Sequence, residues 1–139
     1  LKFSDTYVAL DLSGNAGITA KILGAVFGAS AVANKQYAGI GLYYLDTLNY
    51  SYPALMQLAL TAAVGDTKNY GKVVDLLYTN VVGFAPSATD KALYVGMLES
   101  GAQTVASLGV LAADFSLNTS KVDAVLVGLA LQGLPYTPV

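Results

Sequence analysis

Residues 34–48 read NKQYAGIGLYYLDTL, and the spacing of their apolar side chains decides the fold class. Tyr37, Ile40, Gly41, Tyr44, Leu45 and Leu48 fall at i, i+3, i+4, i+7, i+8 and i+11. That is the period of one helix face, not the alternation of a strand. Asn34 stands where an N-cap belongs and Asn49 where the helix should close. The stretch predicts a helix with that stripe turned inward.

The same grammar runs outward in both directions. Upstream, Thr19 is placed to cap a helix carrying Ile22, Leu23 and Val26, which Gly28 stops. Before it, residues 13–17 (SGNAG) read as a turn and residues 3–12 as a short extended arm. Downstream, Tyr52 or Pro53 opens a third helix with Leu55, Leu58, Ala59 and Ala62 on one face and Gly65 at its end. A fourth spans residues 70–82 with Val73, Leu76, Leu77 and Val81 inward, ended by Gly83. Ser87-Ala-Thr-Asp90 has the form of a capping start for a fifth, which Gly101 stops. Thr104 caps a sixth bearing Val105, Leu108, Ala112 and Phe115. Asn118-Thr-Ser120 starts a seventh, with Val122, Val125, Leu126 and Leu129 inward and Gly133 as its stop. Pro135 and Pro138 mark an irregular tail. The expected fold is all-α, about seven short helices behind an extended N-terminal arm.

The two halves resemble each other. Gly28 and Gly83 are 55 residues apart, and at that shift Ile22 meets Leu77, Val26 meets Val81, Ile40 meets Val95 and Gly41 meets Gly96. After a two-residue adjustment in the following loop, Leu55 meets Leu108, Leu58 meets Leu111 and Ala59 meets Ala112. Units at residues 19–65 and 70–118, plus a final helix at 120–132, therefore follow an arm and turn at 1–18. Gly41 and Gly96 sit mid-helix, where glycine costs about 1 kcal/mol against alanine. Their matching predicts a close helix approach at both.

Composition excludes much. Of 139 residues none is His or Cys, and all seven basic residues are lysines. The commonest general base, thiol chemistry, zinc–thiolate sites and bidentate arginine clamps are thereby removed. A net charge of -2 with scattered lysines gives no basic stripe, so nucleic acid is not expected as a partner. The longest uncharged stretch, residues 47–65, holds Asn49, Ser51, Pro53 and Gln57. It is therefore a poor membrane span. No two carboxylates suggest an acid/base pair, and no glycine-rich stretch has the context of a phosphate loop. Asp11, Ser13 and Asn15 supply one carboxylate, too few for calcium, and no cofactor is called for.

Residues 72–87 (KVVDLLYTNVVGFAPS) carry a resemblance. Leu77, Tyr78, Asn80, Val81, Gly83, Ala85, Pro86 and Gly101 resemble the pattern of a helical domain of unknown function. That domain recurs in bacterial secreted proteins of the RTX (haemolysin-type calcium-binding) and S-layer-like kind. The resemblance covers residues 70–118 and reaches more loosely back to Asp11; the family's Trp position on the following helix reads Leu93-Tyr94 here. It implies secretion, a bacterial cell-surface or extracellular setting, and no catalytic residues. The motif residues Tyr78, Asn80, Gly83, Pro86 and Gly101 read as structural, with Asn80 expected to bond the loop at residues 83–87. Lys72 and Asp75 read as an i,i+3 surface pair.

Tyrosine is the one excess, with ten residues. Tyr37, Tyr43, Tyr50 and Tyr52 are the interface candidates, because exposed tyrosines give large contact area at low entropic cost. If Tyr44 is core, Tyr43 should be exposed. The expected function is a non-catalytic structural or interaction module of a secreted surface protein, assembling with copies of itself into a layer, sheath or fibre. The alternative is a binding module for an apolar or aromatic ligand, a tyrosine-ligated haem being one version.

Overall fold

The computed structural model describes residues 7–9, 14–128 and 133–139. Helices α1 (Asn15–Phe27), α2 (Lys35–Leu42), α3 (Tyr52–Val64), α4 (Tyr70–Val82), α5 (Ala88–Ser100), α6 (Val105–Asp114) and α7 (Ser116–Gly128) follow in order. A 3-10 segment, Ala29–Ala33, precedes α2, and a π-helical turn, Tyr43–Thr47, prolongs it. Strands β1 (Tyr7–Ala9) and β2 (Leu134–Tyr136) pair antiparallel, Val8 opposite Pro135. The protein is all-α, as its periodicity predicts.

The stop signals sit where the sequence places them. Gly28, Asn49, Gly65, Gly83 and Gly101 all have positive φ. Gly83 and Gly101, at φ 103 and 80, are left-handed caps that close α4 and α5 without a Cβ penalty. Asn34, Ser51, Asn69, Ser87 and Thr104 each accept a backbone N–H of the first turn they precede. Leu129 lies outside the described residues.

Helix starts and faces differ in several places. α1 begins at Asn15, so residues 15–17 are helix instead of turn, and Thr19 is buried inside it at 2 % exposure instead of capping it. Helix α7 begins at Ser116, and Asn118 is a buried bridge within its first turn, not its start. On α2 the inward residues are Ala38, Gly39, Gly41 and Leu42, while Tyr37, Ile40 and Leu48 are exposed. β2 lies against the small-residue face, and Thr137 N–H donates to the Lys35 carbonyl at 2.8 Å. A Cβ on Gly39 would overlap the Thr137 carbonyl oxygen. Backbone approach this close selects glycine and alanine over the bulky stripe. On α3 the buried residues are Leu55, Met56 and Leu60, and Leu58 and Ala62 turn outward. The tail is thus not irregular throughout, and part of the arm is tied to it through the β1–β2 pair.

Two cores share α1 as their wall. Ile22, Ala25 and Val26 pack with Leu55, Met56, Leu60, Val73, Leu77 and Leu108 from α3, α4 and α6. Ala16, Ala20 and Leu23 pack with Val32, Leu42, Val122, Leu126 and Leu134. A helix apolar on all sides belongs between two such layers.

The elements repeat. α1 shifted by 55 residues coincides with α4 at both ends. From the next cap onward the shift is 53: Asn34 falls on Ser87 and Ser51 on Thr104, each an N-cap. The two-residue difference therefore lies in the first connection, between Gly28 and Asn34, and not after the second helix. In this register Gly41 corresponds to Tyr94, and Gly96 has nothing within 4 Å of a built Cβ. Of the two mid-helix glycines, only Gly41 marks a close approach, its Cβ position lying 2.7 Å from Thr19 Cγ2.

Candidate functional site

The tyrosine candidates divide. Tyr37, Tyr43 and Tyr50 are 42 %, 38 % and 39 % exposed. Tyr44 packs against the core and carries Tyr43 and Tyr50 on either side, with ring centroids 6.2 and 4.8 Å away. Asn49 in the left-handed region, at φ 56, turns the chain so that Tyr50 projects. Tyr52 is a correction: it packs on the core, and its hydroxyl donates to Asp114 Oδ1 at 2.9 Å. Lys21 Nζ lies 2.7 Å from the same oxygen and 5.3 Å from the Tyr52 ring centre. The group joins α1, α3 and α6. Burial first, then the Asp114 carboxylate, holds the Tyr52 phenol well above the ordinary tyrosine range. Its hydroxyl serves the fold.

Several motif residues make contacts between helices. Asn80 Nδ2 donates across to the Ala25 carbonyl of α1 at 3.0 Å, not to its own loop as expected. Lys121 Nζ donates to the Val81 carbonyl at 2.8 Å, a cation at the C-terminus of α4. Tyr78 OH donates to Asp90 Oδ2 at 2.9 Å, tying α4 to α5, and that bond raises the Tyr78 pKa. Asp75 pairs with Lys91 of α5 at 2.9 Å and not with Lys72. Pro86 lies in the loop between Gly83 and Ser87.

Two apolar clefts were not foreseen. The first, about 240 Å³, opens between α1, α2 and α3. The second, about 320 Å³, opens between α4, α5 and α6. They occupy equivalent places in the repeat. Ile22, Leu23 and Phe27 correspond at shift 55 to Leu77, Tyr78 and Val82; Gly41, Leu58 and Ala62 correspond at shift 53 to Tyr94, Leu111 and Phe115. Of the first cleft's lining only Tyr37 and Ile40 lack a counterpart in the second. The sequence signal was the repeated stripe Leu55-Leu58-Ala59-Ala62 and Leu108-Leu111-Ala112-Phe115. The outer members of both stripes rim the openings. Leu58 is 37 % exposed, and Leu111 and Phe115 are 55 % and 53 % exposed.

The clefts differ in how their outer helix is held. α2 is backed by α1, the 3-10 segment and β2, whereas α5 leans chiefly on α4. Among the described residues no group of three or more His, Cys, Asp or Glu side chains could hold a metal. Asp11 and Ser13 of the weak calcium pattern lie outside the described residues. No described helix is long and apolar enough to cross a membrane. No family model, no curated protein and no solved structure matches the chain, so the surface-protein resemblance rests on the residues that carry it.

Proposed function

We propose that the chain is a non-catalytic interaction module that assembles with copies of itself, within a secreted bacterial surface protein. The exposure of Tyr37, Tyr43 and Tyr50 on the first unit carries this reading. A protein with only 16 charged side chains (seven basic, nine acidic) leaves much of its surface uncharged, and clustered exposed aromatics on such a surface suit a partner protein. The extracellular setting is supported by the resemblance at Leu77, Tyr78, Asn80 and Gly83. Replacing Tyr43 and Tyr50 together by Ser tests the reading. Two aromatic anchors at about 2 kcal/mol each predict association weakened about a thousandfold, with the helical spectrum unchanged. Association that survives the double replacement would remove the tyrosines from the interface.

The clefts favour a second reading, a site for a small apolar or aromatic ligand. For the haem version, the Tyr78 hydroxyl at the second cleft is taken up by Asp90, which leaves Tyr94 in the same lining as the candidate iron ligand. Visible absorbance of protein purified from cells supplied with haem would check it.

A further inference from the structure

Thr19 of α1 belongs to the lining of the first cleft and is 2 % exposed. Its hydroxyl oxygen is buried and has no hydrogen-bond partner among the described residues. That oxygen lies where α1 meets α2: a Cβ built on Gly41, which lines the same cleft, would sit 3.3 Å from it. A hydroxyl taken out of water and left unpaired costs stability.

Packing does not require that hydroxyl. At shift 55 Thr19 corresponds to Val74 of α4, which is 3 % exposed and lines the second cleft. Valine has the shape of threonine with a methyl in place of the hydroxyl. The second unit thus fills the equivalent place with no polar atom. The first unit instead carries an unpaired polar atom at the inner wall of an otherwise apolar cleft, and buried polar groups in native proteins have partners.

The cleft limits what that partner can be. Among the described residues no charged side chain lines it, which disfavours an ionic guest. An apolar cavity of roughly 150 Å³ takes one benzene ring. The first cleft, about 240 Å³, has room for one ring and a short substituent. Phe27 and Tyr37, with ring centroids 5.2 Å apart and planes at 52°, form part of its wall and offer an edge and a face to a further ring. A threonine hydroxyl donates and accepts, and so does a phenol, so the two can pair in either sense.

We infer that the first cleft binds a small uncharged phenol with a short alkyl substituent, its hydroxyl bonded to Thr19 Oγ1. This inference rests on the ligand-binding reading above, to which it adds a site and a ligand class, and it does not depend on self-association.

Thr19→Val tests it, because the variant removes the hydroxyl and keeps a shape that the second unit already holds at Val74. Two probes that differ only in a hydroxyl, para-ethylphenol and ethylbenzene, are titrated into the wild type and the variant, and backbone amide shifts are followed by nuclear magnetic resonance. Para-ethylphenol should shift the amides around Thr19 and Gly41 and should bind the variant about tenfold more weakly, the loss of one buried hydrogen bond. Ethylbenzene should bind the variant at least as well as the wild type. Urea unfolding without ligand adds a second readout: the variant's midpoint should rise, whereas a threonine kept for structure would make it fall. Equal affinity of para-ethylphenol for the two proteins overturns the Thr19 assignment while an apolar site stands. A lower midpoint for the variant overturns it too, since the hydroxyl then has a partner within the fold. Shifts confined to α4, α5 and α6 place the ligand in the other cleft and likewise overturn it. No shift with either probe up to its solubility removes both the assignment and the ligand-binding reading of this cleft.

Discussion

Replacing Gly39 by Ala should be among the most damaging single-methyl additions to this chain. The new Cβ would overlap the Thr137 carbonyl oxygen, and backbone cannot rotate aside as a side chain can. Either α2 or the tail must move. The tail is the cheaper to release, and its release exposes Leu134, now 0 % exposed, and frees the Thr137–Lys35 hydrogen bond. Exposing a leucine costs about 1.5–3 kcal/mol. The lost hydrogen bond adds about 1 kcal/mol, and uncovering Pro135 and the Ala38–Leu42 face adds about 1 more. Alanine's helix propensity returns about 1 kcal/mol. The net expectation is a loss of about 2.5–4 kcal/mol in urea unfolding followed by circular dichroism. Gly96→Ala is the matched control. It stands in a helix with nothing within 4 Å of the added methyl and should gain up to about 1 kcal/mol. If the two variants have the same unfolding midpoint, the tail does not press on α2 and the packing described here is wrong.

Asn118 is 1 % exposed and donates to the Lys21 and Ala113 carbonyls, joining α1, α6 and α7; Asn118→Ala should cost about 2–3 kcal/mol in the same assay. Tyr52 and Tyr78 have raised pKa values, so their neutral forms stabilise the fold. That contribution is full below the unfolded tyrosine value of about 10 and is lost as pH rises through the higher folded values. An alkaline absorbance titration should show phenolate appearing late at these two positions, and Tyr52→Phe and Tyr78→Phe should each remove a late step. Calcium should not be needed for folding: EDTA should lower the melting temperature of the isolated chain by less than about 5 °C, a shift worth on the order of 1 kcal/mol.

The helices were legible because their punctuation is chemical. Gly28, Asn49, Gly65, Gly83 and Gly101 each stop a helix by a left-handed or related turn, and Ser87 and Thr104 cap by side-chain oxygens. Helix faces were less legible. Reading α2 by bulk put Tyr37, Ile40 and Leu48 inside, but a strand from the far end of the chain selects the Ala38–Gly39–Leu42 face. No local pattern announces a partner that lies nearly a hundred residues away. The same limit hid Asn80 and Asn118, whose amides bond backbone carbonyls of α1. The tyrosine cluster was visible as composition, and only the packing separated Tyr52, bound to Asp114, from the exposed three. The clefts were invisible because they depend on the outer residues of α3 and α6 failing to meet a neighbour.

Sedimentation velocity of the wild-type chain, from micromolar to hundreds of micromolar, bears most directly on the proposed function. Self-association predicts a weight-average mass that climbs from the 14.3 kDa monomer past twice that value as concentration rises. A mass that stays at 14.3 kDa across the whole range would contradict it.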